Sequence, residues 1–201
     1  MKANTRKAIF EFGSIVIAVV LAMGLTEWRQ SYLNHKMADA SFEKIVLEVR
    51  ENLEGLKKDS LKMGKDLELM RAWVRQHTNN GKKGPLGVNF SFSFLGNSAL
   101  EVARINQSLS FLPGEKVLDI AEVYATQDFY SENAAKVFDI MGDLQGLINE
   151  PDSQEFFAVV QKFRFHLRLI FNTVKAYISE SEEFLEKYAA KPENESIAFE
   201  P

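Results

Sequence analysis

The chain has 201 residues, of which 46% are hydrophobic and 26% are charged, with a formal net charge of −4 and no cysteine. This composition is ordinary for a folded protein, and its negative balance gives no support to a nucleic-acid partner. The absence of cysteine excludes a disulfide framework, thiolate zinc sites and cysteine nucleophiles.

An uncharged, largely apolar run, residues 12–26, lies near the N-terminus between Glu11 and Glu27. A membrane-spanning helix needs about 20 mostly apolar residues. The stretch 8–28 has that length and includes both glutamates. Trp28 and Tyr32 follow at the place where amphipathic rings collect at a membrane interface. We therefore predict a transmembrane helix over 8–28 that interacts with membrane lipid.

The basic residues around this run indicate its orientation. Lys2, Arg6 and Lys7 precede it, whereas Arg29 and Lys36 follow it among acidic residues. Because positive charge favours the cytoplasmic side, residues 1–7 are predicted to be cytoplasmic. The rest of the chain is then extracytoplasmic, on a single-pass protein of the cytoplasmic membrane.

Two other interpretations of the apolar run are open. A cleaved signal peptide fits the basic start and the small residues at 22–24, but Glu11 interrupts its apolar region. A buried helix of a soluble protein would need partner surfaces on every side. We favour the uncleaved anchor because the sequence continues past residue 24 in helix-forming residues.

Two features of the span have potential functions. Ser14, Ala18, Ala22 and Thr26 recur every four residues, and such a small-residue stripe lets another helix approach closely. Glu11 is an ionisable residue inside the predicted span, where ionisable groups are costly and often functional. Its position near the cytoplasmic end also permits its carboxylate to reach the headgroups.

Residues 29–77 contain no proline and are predicted to form one long helix that continues the span. Its apolar residues are Phe42, Ile45, Val49, Leu53, Leu56, Met63, Leu67, Met70 and Val74. From Leu56 onward, with Ser60 in one position, the spacings alternate between four and three, the heptad pattern of a coiled coil. This helix is therefore expected to pack against other helices.

A second pattern, with a period of two, covers residues 88–94. Its apolar members are Val88, Phe90, Phe92 and Phe94. Such alternation is typical of a strand, but no second strand pattern lies nearby. We interpret the stretch as an extended segment whose phenylalanines lie across the helices. The alternative is a strand that pairs with another chain.

Three more helices are predicted, over 98–112, 115–149 and 152–188. Ser98 with Glu101, and Asp152 with Glu155, match the capping-box pattern at two N-termini. The face of the second is expected to comprise Val117, Ile120, Ala121, Tyr124, Ala134, Phe138, Met141, Leu144 and Ile148. The third has the clearest heptad pattern: Phe156, Val160, Phe163, Leu167, Ile170, Val174, Tyr177, Ser181, Phe184 and Tyr188.

Long amphipathic helices joined by short loops predict an antiparallel helical bundle. The fold class is therefore all-α, with one N-terminal transmembrane helix that continues into a long helix of an extracytoplasmic bundle, residues 29–188. The acidic tail, 189–201, contains two prolines and few apolar residues, and we predict that it is disordered.

No catalytic motif is recognisable in the sequence, and no cofactor, metal or enzymatic activity is expected. His35, His77 and His166 lie far apart, with no paired-histidine zinc motif, nucleophile elbow or phosphate-binding glycine loop. His166 is interpreted as a residue at a packing edge. Arg164 and Arg168 lie one turn apart, and a solvated face is favoured over a site for an anionic ligand.

Several short blocks resemble a family. Glu27-Trp28-Arg29 closes the anchor; Leu100-Glu101-Val102-Ala103, Gln107-Ser108-Leu109, Ile120-Ala121-Glu122-Val123-Tyr124, Gln127 and Tyr130 form a second block. These residues resemble an uncharacterised group of short bacterial single-pass membrane proteins with a domain of unknown function. The resemblance implies an anchor in the bacterial inner membrane that is followed by a helical domain. It implies no catalytic residues.

Together these patterns predict a non-enzymatic, membrane-anchored helical scaffold or assembly protein. Its expected partners are membrane lipid and a second copy or other membrane proteins. One alternative is an extracytoplasmic ligand-binding or sensory domain that acts through a membrane partner. Another is an accessory subunit of an ion-driven complex, in which Glu11 faces a partner helix.

Overall fold

The computed structural model describes residues 2–80, 86, 92–147, 149–151 and 153–189, with side chains described from residue 12 and, in the first range, up to residue 78. Within these residues the protein is helical and contains no strand, so the all-α prediction is confirmed. The elements are α1 (Lys2–Asn80), α2 (Ser98–Ile105), a 3₁₀ turn (Ser108–Phe111), α3 (Gly114–Gly146) and α4 (Gln154–Ala189).

The first helix, α1, runs for 79 residues without a break. At about 1.5 Å per residue it is about 120 Å long. The prediction that the apolar run and the following helix are continuous is therefore confirmed, although the helix extends to Asn80 rather than to residue 77.

Residues 12–26 of α1 carry no charged side chain on any side of the helix. An 18-residue window near the N-terminus has a mean hydropathy of 1.5, and none of it is buried. By length and composition, α1 is the one helix in the described part of the chain that could cross a membrane. A signal sequence near an N-terminus meets the same criterion.

The later part of α1 is buried along one face. All nine residues of its predicted apolar stripe, from Phe42 to Val74, are buried. This face packs against α4, and it also packs against α2 and the 3₁₀ turn. The Phe42 ring, early in this part of α1, lies 5.1 Å from the ring of Tyr188, at the end of α4. The Trp73 ring, late in α1, lies 6.0 Å from the ring of Phe156, at the beginning of α4.

Helix α4 is central to the core because it packs against both α1 and α3. Its predicted heptad stripe is confirmed, since every member from Phe156 to Phe184 is buried and Tyr188 is half-buried. The N-terminus of α4 is capped by a serine, next to the predicted cap residue Asp152. The Ser153 hydroxyl accepts the backbone N–H of Phe156 at 3.0 Å and so caps the helix, whereas Asp152 lies outside the described residues.

The prediction for α3 was only partly correct. The helix begins at Gly114 and ends at Gly146, rather than covering 115–149. Ala121 is exposed and Phe138 is 46% exposed, while Ile148 lies outside the described residues. The buried stripe consists of Ile120, Val123, Tyr124, Gln127, Tyr130, Asn133, Ala134, Val137 and Ile140. The sequence-based face missed the polar members Gln127 and Asn133 and also the apolar members Val123, Tyr130, Val137 and Ile140.

The single helix predicted over 98–112 is two elements. The chain turns after α2 at Gln107, whose φ of 58° lies in the left-handed region, and then forms the 3₁₀ turn. The Ser98 capping box is also wrong, because the N-cap position is Asn97 and no side chain there caps the helix. Glu48 of α1 instead accepts the Ala99 N–H at 2.9 Å.

Residues 92–97, named here the strap, connect to α2 without helical or strand structure. The Phe92 ring packs edge-on against Phe138 at 5.4 Å, as expected of a residue that lies across the helices. Phe94, in contrast, is 92% exposed, so that interpretation is wrong for Phe94. Residues 87–91 and the tail, 190–201, lie outside the described residues, as does any pairing of 88–91 with another strand.

Candidate functional site

A cluster of hydrogen-bonded polar side chains, named here the polar layer, fixes the strap to the helices. It contains Glu48, Asn52 and Asp59 of α1, Tyr124, Gln127 and Tyr130 of α3, and Tyr177 of α4. The members from α1 and α3 recur at helical spacings of three, four and seven. Each set therefore lies on one side of its helix and faces the strap.

Two side-chain amides, those of Asn52 and Gln127, bind the backbone of Gly96. Asn52 accepts the Gly96 N–H at 2.9 Å and donates to the Gly96 carbonyl at 2.8 Å. Gln127 donates to the same carbonyl at 2.8 Å, and its own carbonyl accepts from Asn52 at 3.2 Å. These side chains satisfy backbone groups that a neighbouring strand would otherwise satisfy.

Two carboxylates accept N–H groups, one in the strap and one in the first turn of α2. Glu48 accepts the Tyr124 hydroxyl at 2.5 Å with one oxygen and the Ala99 N–H at 2.9 Å with the other. Asp59 accepts the Ser93 N–H at 2.6 Å, while the Tyr130 hydroxyl donates to the Ser93 carbonyl at 3.0 Å. The strap is thus held at Ser93 and at Gly96, and Glu48 holds the first turn of α2 that follows it.

The tyrosines of the polar layer are held in their neutral form. Burial raises the pKa of Tyr177 to about 12. Burial also raises the pKa of Tyr124, with a further contribution from its hydrogen bond to Glu48, and the pKa of Tyr130, with a contribution from Asp59. All three hydroxyls are therefore stable donors at neutral pH, which suits them to hold the strap rather than to transfer protons.

Outside the polar layer, the sequence also singled out three histidines and, on α4, two arginines. The described residues contain no group of three or more His, Asp or Glu side chains placed to hold a metal ion. The three histidines are far apart in the fold: His35 contacts the 3₁₀ turn, His77 stacks between Trp73 and Phe157, and His166 lies half-buried beside Phe165. Of the two arginines on α4, Arg168 is exposed and Arg164 is half-buried.

The small-residue stripe of the predicted span is exposed. Ser14, Ala18, Ala22 and Thr26 all lie on α1 where no other described part of the chain covers them. The Thr26 hydroxyl donates to the Ala22 carbonyl at 2.9 Å, which satisfies the hydroxyl within the helix. A second helix therefore has access to this stripe.

The remaining predicted residues also lie on α1. Trp28 is 72% exposed and Tyr32 is 62% exposed, as a location at a membrane interface requires. The side chain of Glu11 lies outside the described residues.

Sequence reasoning missed the polar layer as a cluster. Its signal was present as polar residues at helical spacing: Glu48 and Asn52 are one turn apart, and so are Gln127 and Tyr130. The last two belong to the second block of the family resemblance. A search for apolar periodicity passes over Glu48, Asn52 and Gln127 because their side chains are polar.

Comparisons of this chain with known protein families, curated proteins and solved structures find no match. The resemblance to the bacterial single-pass group stays a prediction, and the proposals below depend on the sequence and on the geometry described above.

Proposed function

We propose that this protein is a non-enzymatic, membrane-anchored scaffold that presents an antiparallel helical bundle on a rigid rod. The observation that carries the proposal is that α1 is one continuous helix with two different surfaces. Its first part exposes apolar side chains on every side, and its later part packs against the other helices.

Lipid is the environment that suits the first part. Between residues 12 and 33, twelve large hydrophobic side chains are each at least 44% exposed: Phe12, Ile15, Val16, Ile17, Val19, Val20, Leu21, Met23, Leu25, Trp28, Tyr32 and Leu33. Soluble proteins rarely expose a continuous apolar surface of this extent. A bilayer would cover it from all sides and leave Trp28 and Tyr32 at the interface.

Ring contacts support the antiparallel arrangement of the bundle. Phe42, early in α1, meets the end of α4, whereas Trp73, late in α1, meets the beginning of α4. The two helices therefore run in opposite directions along their contact. The periodic stripes on both helices are consistent with coiled-coil-like packing.

A rigid connection favours a scaffold. The first buried core residue after the span is Ala38, ten residues beyond Trp28. At 1.5 Å per residue this is about 15 Å along the helix axis. Because the intervening chain is helical, the bundle holds a defined height above the membrane. Basic residues before the span favour a cytoplasmic N-terminus in a bacterial inner membrane, with the bundle outside.

A second copy of this chain is the partner that the stripe favours. Its small residues are exposed, and close helix approach in lipid depends on such residues. Two copies anchored in one membrane would be parallel and at equal height, so that identical stripes would face each other.

Anchoring is tested by fractionation of the full chain. The wild-type protein should resist extraction with alkaline carbonate, and its intact mass should include residues 1–24. Leu21→Arg places a charge at the centre of the span, which costs about 2.5–3.5 kcal/mol, and should release the chain. The matched change Leu61→Arg, at a site 75% exposed on the later part of α1, should leave it membrane-bound.

Cleavage near residue 24, or extraction of the wild-type chain by carbonate, would refute the anchor. A reporter that is active only outside the cytoplasm, fused after Pro201, tests the orientation and should be active. Crosslinking in native membranes tests the self-association. Ala18→Ile should weaken the crosslinked dimer, whereas Val19→Ile on a neighbouring face should not, and a wild-type monomer would exclude this contact.

A further inference from the structure

The outer face of α1, opposite the core, is a surface that no other described helix covers. Leu33, Ala40 and Leu47 lie on it at intervals of seven residues, and all three are exposed, Leu47 by 53%. Leu47 is two residues from the buried Ile45 and Val49, which places it about 200° around the helix from each of them. This row of three residues, named here the outer seam, therefore points away from the core.

The outer seam continues the small-residue stripe of the proposed span. Thr26, the last residue of the stripe, precedes Leu33 by seven residues on the same unbroken helix. A seven-residue repeat keeps one side of a helix toward its partner when two helices supercoil around each other. A contact that begins between two spans can therefore extend to Leu47 without a change of register. The seam ends there, because Glu54 occupies the next position.

Two pairs of opposite charge flank Leu47. Before it the chain has Glu43 followed by Lys44, and after it Arg50 followed by Glu51, so the order of the signs reverses. All of these side chains are exposed, and none has a salt-bridge partner within the described part of the chain. Their charges are therefore available to another molecule.

A second, parallel copy presents the complementary charge at each of these positions. Two copies related by a two-fold axis along the membrane normal have equal residues at equal heights. At about 100° per residue, Glu43 and Lys44 lie on opposite sides of the line through Leu47. The axis therefore brings Glu43 of one copy beside Lys44 of the second copy. Arg50 and Glu51 meet in the same way, and the axis repeats both contacts.

The order of the charges also selects the register of the two copies. A shift of one copy by seven residues would place Lys44 beside Arg50. The same shift would place Glu43 beside Glu51, so that like charges would meet on both sides of the contact. Such repulsion suppresses the shifted arrangement, whereas the unshifted one pairs unlike charges throughout.

We propose that the outer seam is a docking surface for a second copy of this chain, so that the two bundles pair outside the membrane. The inference rests on the proposed anchor, which holds the copies parallel and at equal height. It extends the self-association proposed for the stripe from the span into the bundle, and it adds the charged residues that fix the register.

The test is disulfide crosslinking of the full-length protein in native membranes, because the chain has no cysteine of its own. Leu47→Cys should form a disulfide-linked dimer on oxidation, since this bond requires the Cβ atoms to approach within about 4.5 Å. Leu118→Cys is the matched control, because this leucine is 72% exposed but lies on α3. It should give at most about one tenth of the dimer yield of Leu47→Cys.

Charge exchange in the Leu47→Cys background tests the pairing itself. Glu43→Lys places two cations side by side on each side of the axis and should reduce the dimer yield about fivefold. Adding Lys44→Glu restores opposite charges and should restore the yield. A loss that the second substitution does not rescue would contradict the two-fold pairing.

A cysteine in the span separates this proposal from the contact of the stripe. If Thr26→Cys crosslinks whereas Leu47→Cys gives no more dimer than Leu118→Cys, the outer seam is refuted and the stripe stands. If neither Thr26→Cys nor Leu47→Cys crosslinks, the self-association fails as a whole. A Leu47→Cys product that contains another protein in place of the second copy would also refute the outer seam.

Discussion

The two parts of α1 show how one helix is suited to two surroundings. Residues 12–33 carry exposed apolar side chains around the whole circumference, whereas residues 38–74 bury one face and expose charged residues on the other. The helix passes from one part to the other without a break. Helical continuity therefore says little about the environment, and the distribution of apolar side chains around the axis distinguishes the two parts.

Mutations in the two parts of α1 should also change different measured properties. The later part of α1 is held by the core and by the polar layer, so changes there should alter the unfolding of the bundle. The first part contacts no other described helix, so changes there should alter membrane retention alone. The two tryptophans provide a reporter for each part: Trp73 is buried in the bundle, and Trp28 lies exposed at the end of the span.

The largest expected effect is the loss of bundle stability in alkali. The pKa values of Tyr124, Tyr130 and Tyr177 are raised in the folded protein, so these groups bind protons more strongly when folded. Their stabilisation is complete below the unfolded pKa of about 10 and is lost as pH rises above it. The free energy of unfolding should fall by up to about 1.4 kcal/mol per pH unit for each tyrosine.

Denaturant titrations at pH 8 to 12 measure this effect, with Trp73 fluorescence followed in a Trp28→Phe background. Tyr177→Phe should reduce the slope by about one third if the three groups contribute equally. The span should stay in detergent micelles as a helix while the bundle unfolds. Phenolate absorbance from all three residues near pH 10 in a folded bundle would contradict the prediction.

The next effect is a cavity in the core. Leu167→Ala removes a fully buried side chain of α4 and should reduce the free energy of unfolding by about 2–5 kcal/mol. Leu21→Ala makes the same chemical change in the span, where the side chain is 63% exposed, and should leave bundle unfolding unchanged. Chemical denaturation in detergent measures both. A similar loss in the two variants would show that the span and the bundle unfold together.

The sequence alone was sufficient for the features that depend on apolar periodicity. The stripes from Phe42 to Val74 and from Phe156 to Phe184 were predicted correctly because a buried helix face recurs at a fixed spacing. The continuity of α1 was also predictable, since no proline or loop signal follows the apolar run.

Features that depend on distant contacts were not predictable. The Ser98 capping box was an attractive local pattern, but Glu48, 51 residues away, contributes the hydrogen bond at that helix end. Similarly, Gln127 is buried on α3 because the strap supplies a backbone partner for its amide, 31 residues away. A local pattern states what a residue is able to bind, and the fold decides which partner is near enough.

A smaller effect is expected from one carboxylate of the polar layer. Glu48→Gln leaves one acceptor oxygen where two donors, Tyr124 and Ala99, now bind separate oxygens. One buried donor then loses its partner, which should cost about 1–3 kcal/mol. Glu54→Gln, at an exposed position of α1, is the control and should have no effect. Equal stability of both variants would show that the strap does not depend on Glu48.

The smallest effect, opposite in sign, is expected at Asp66 of α1. Its side chain is buried, and burial raises its pKa more than the nearby Lys62 lowers it. A carboxyl group with a raised folded pKa favours the fold below its unfolded pKa and opposes it as pH rises. Asp66→Asn should therefore stabilise the bundle at pH 7 by about 0.5 kcal/mol and should have no effect near pH 3.

Thermal unfolding at the two pH values measures this difference, with Asp128→Asn at an exposed position of α3 as the control. Because the span has no counterpart of a buried carboxylate among its described side chains, membrane retention should be the same in both variants. A loss of stability at pH 7 in Asp66→Asn would mean that attraction to Lys62 outweighs burial. The attraction between Asp66 and Lys62 would then stabilise the bundle in addition to its apolar core, a contribution that has no counterpart among the described side chains of the proposed span.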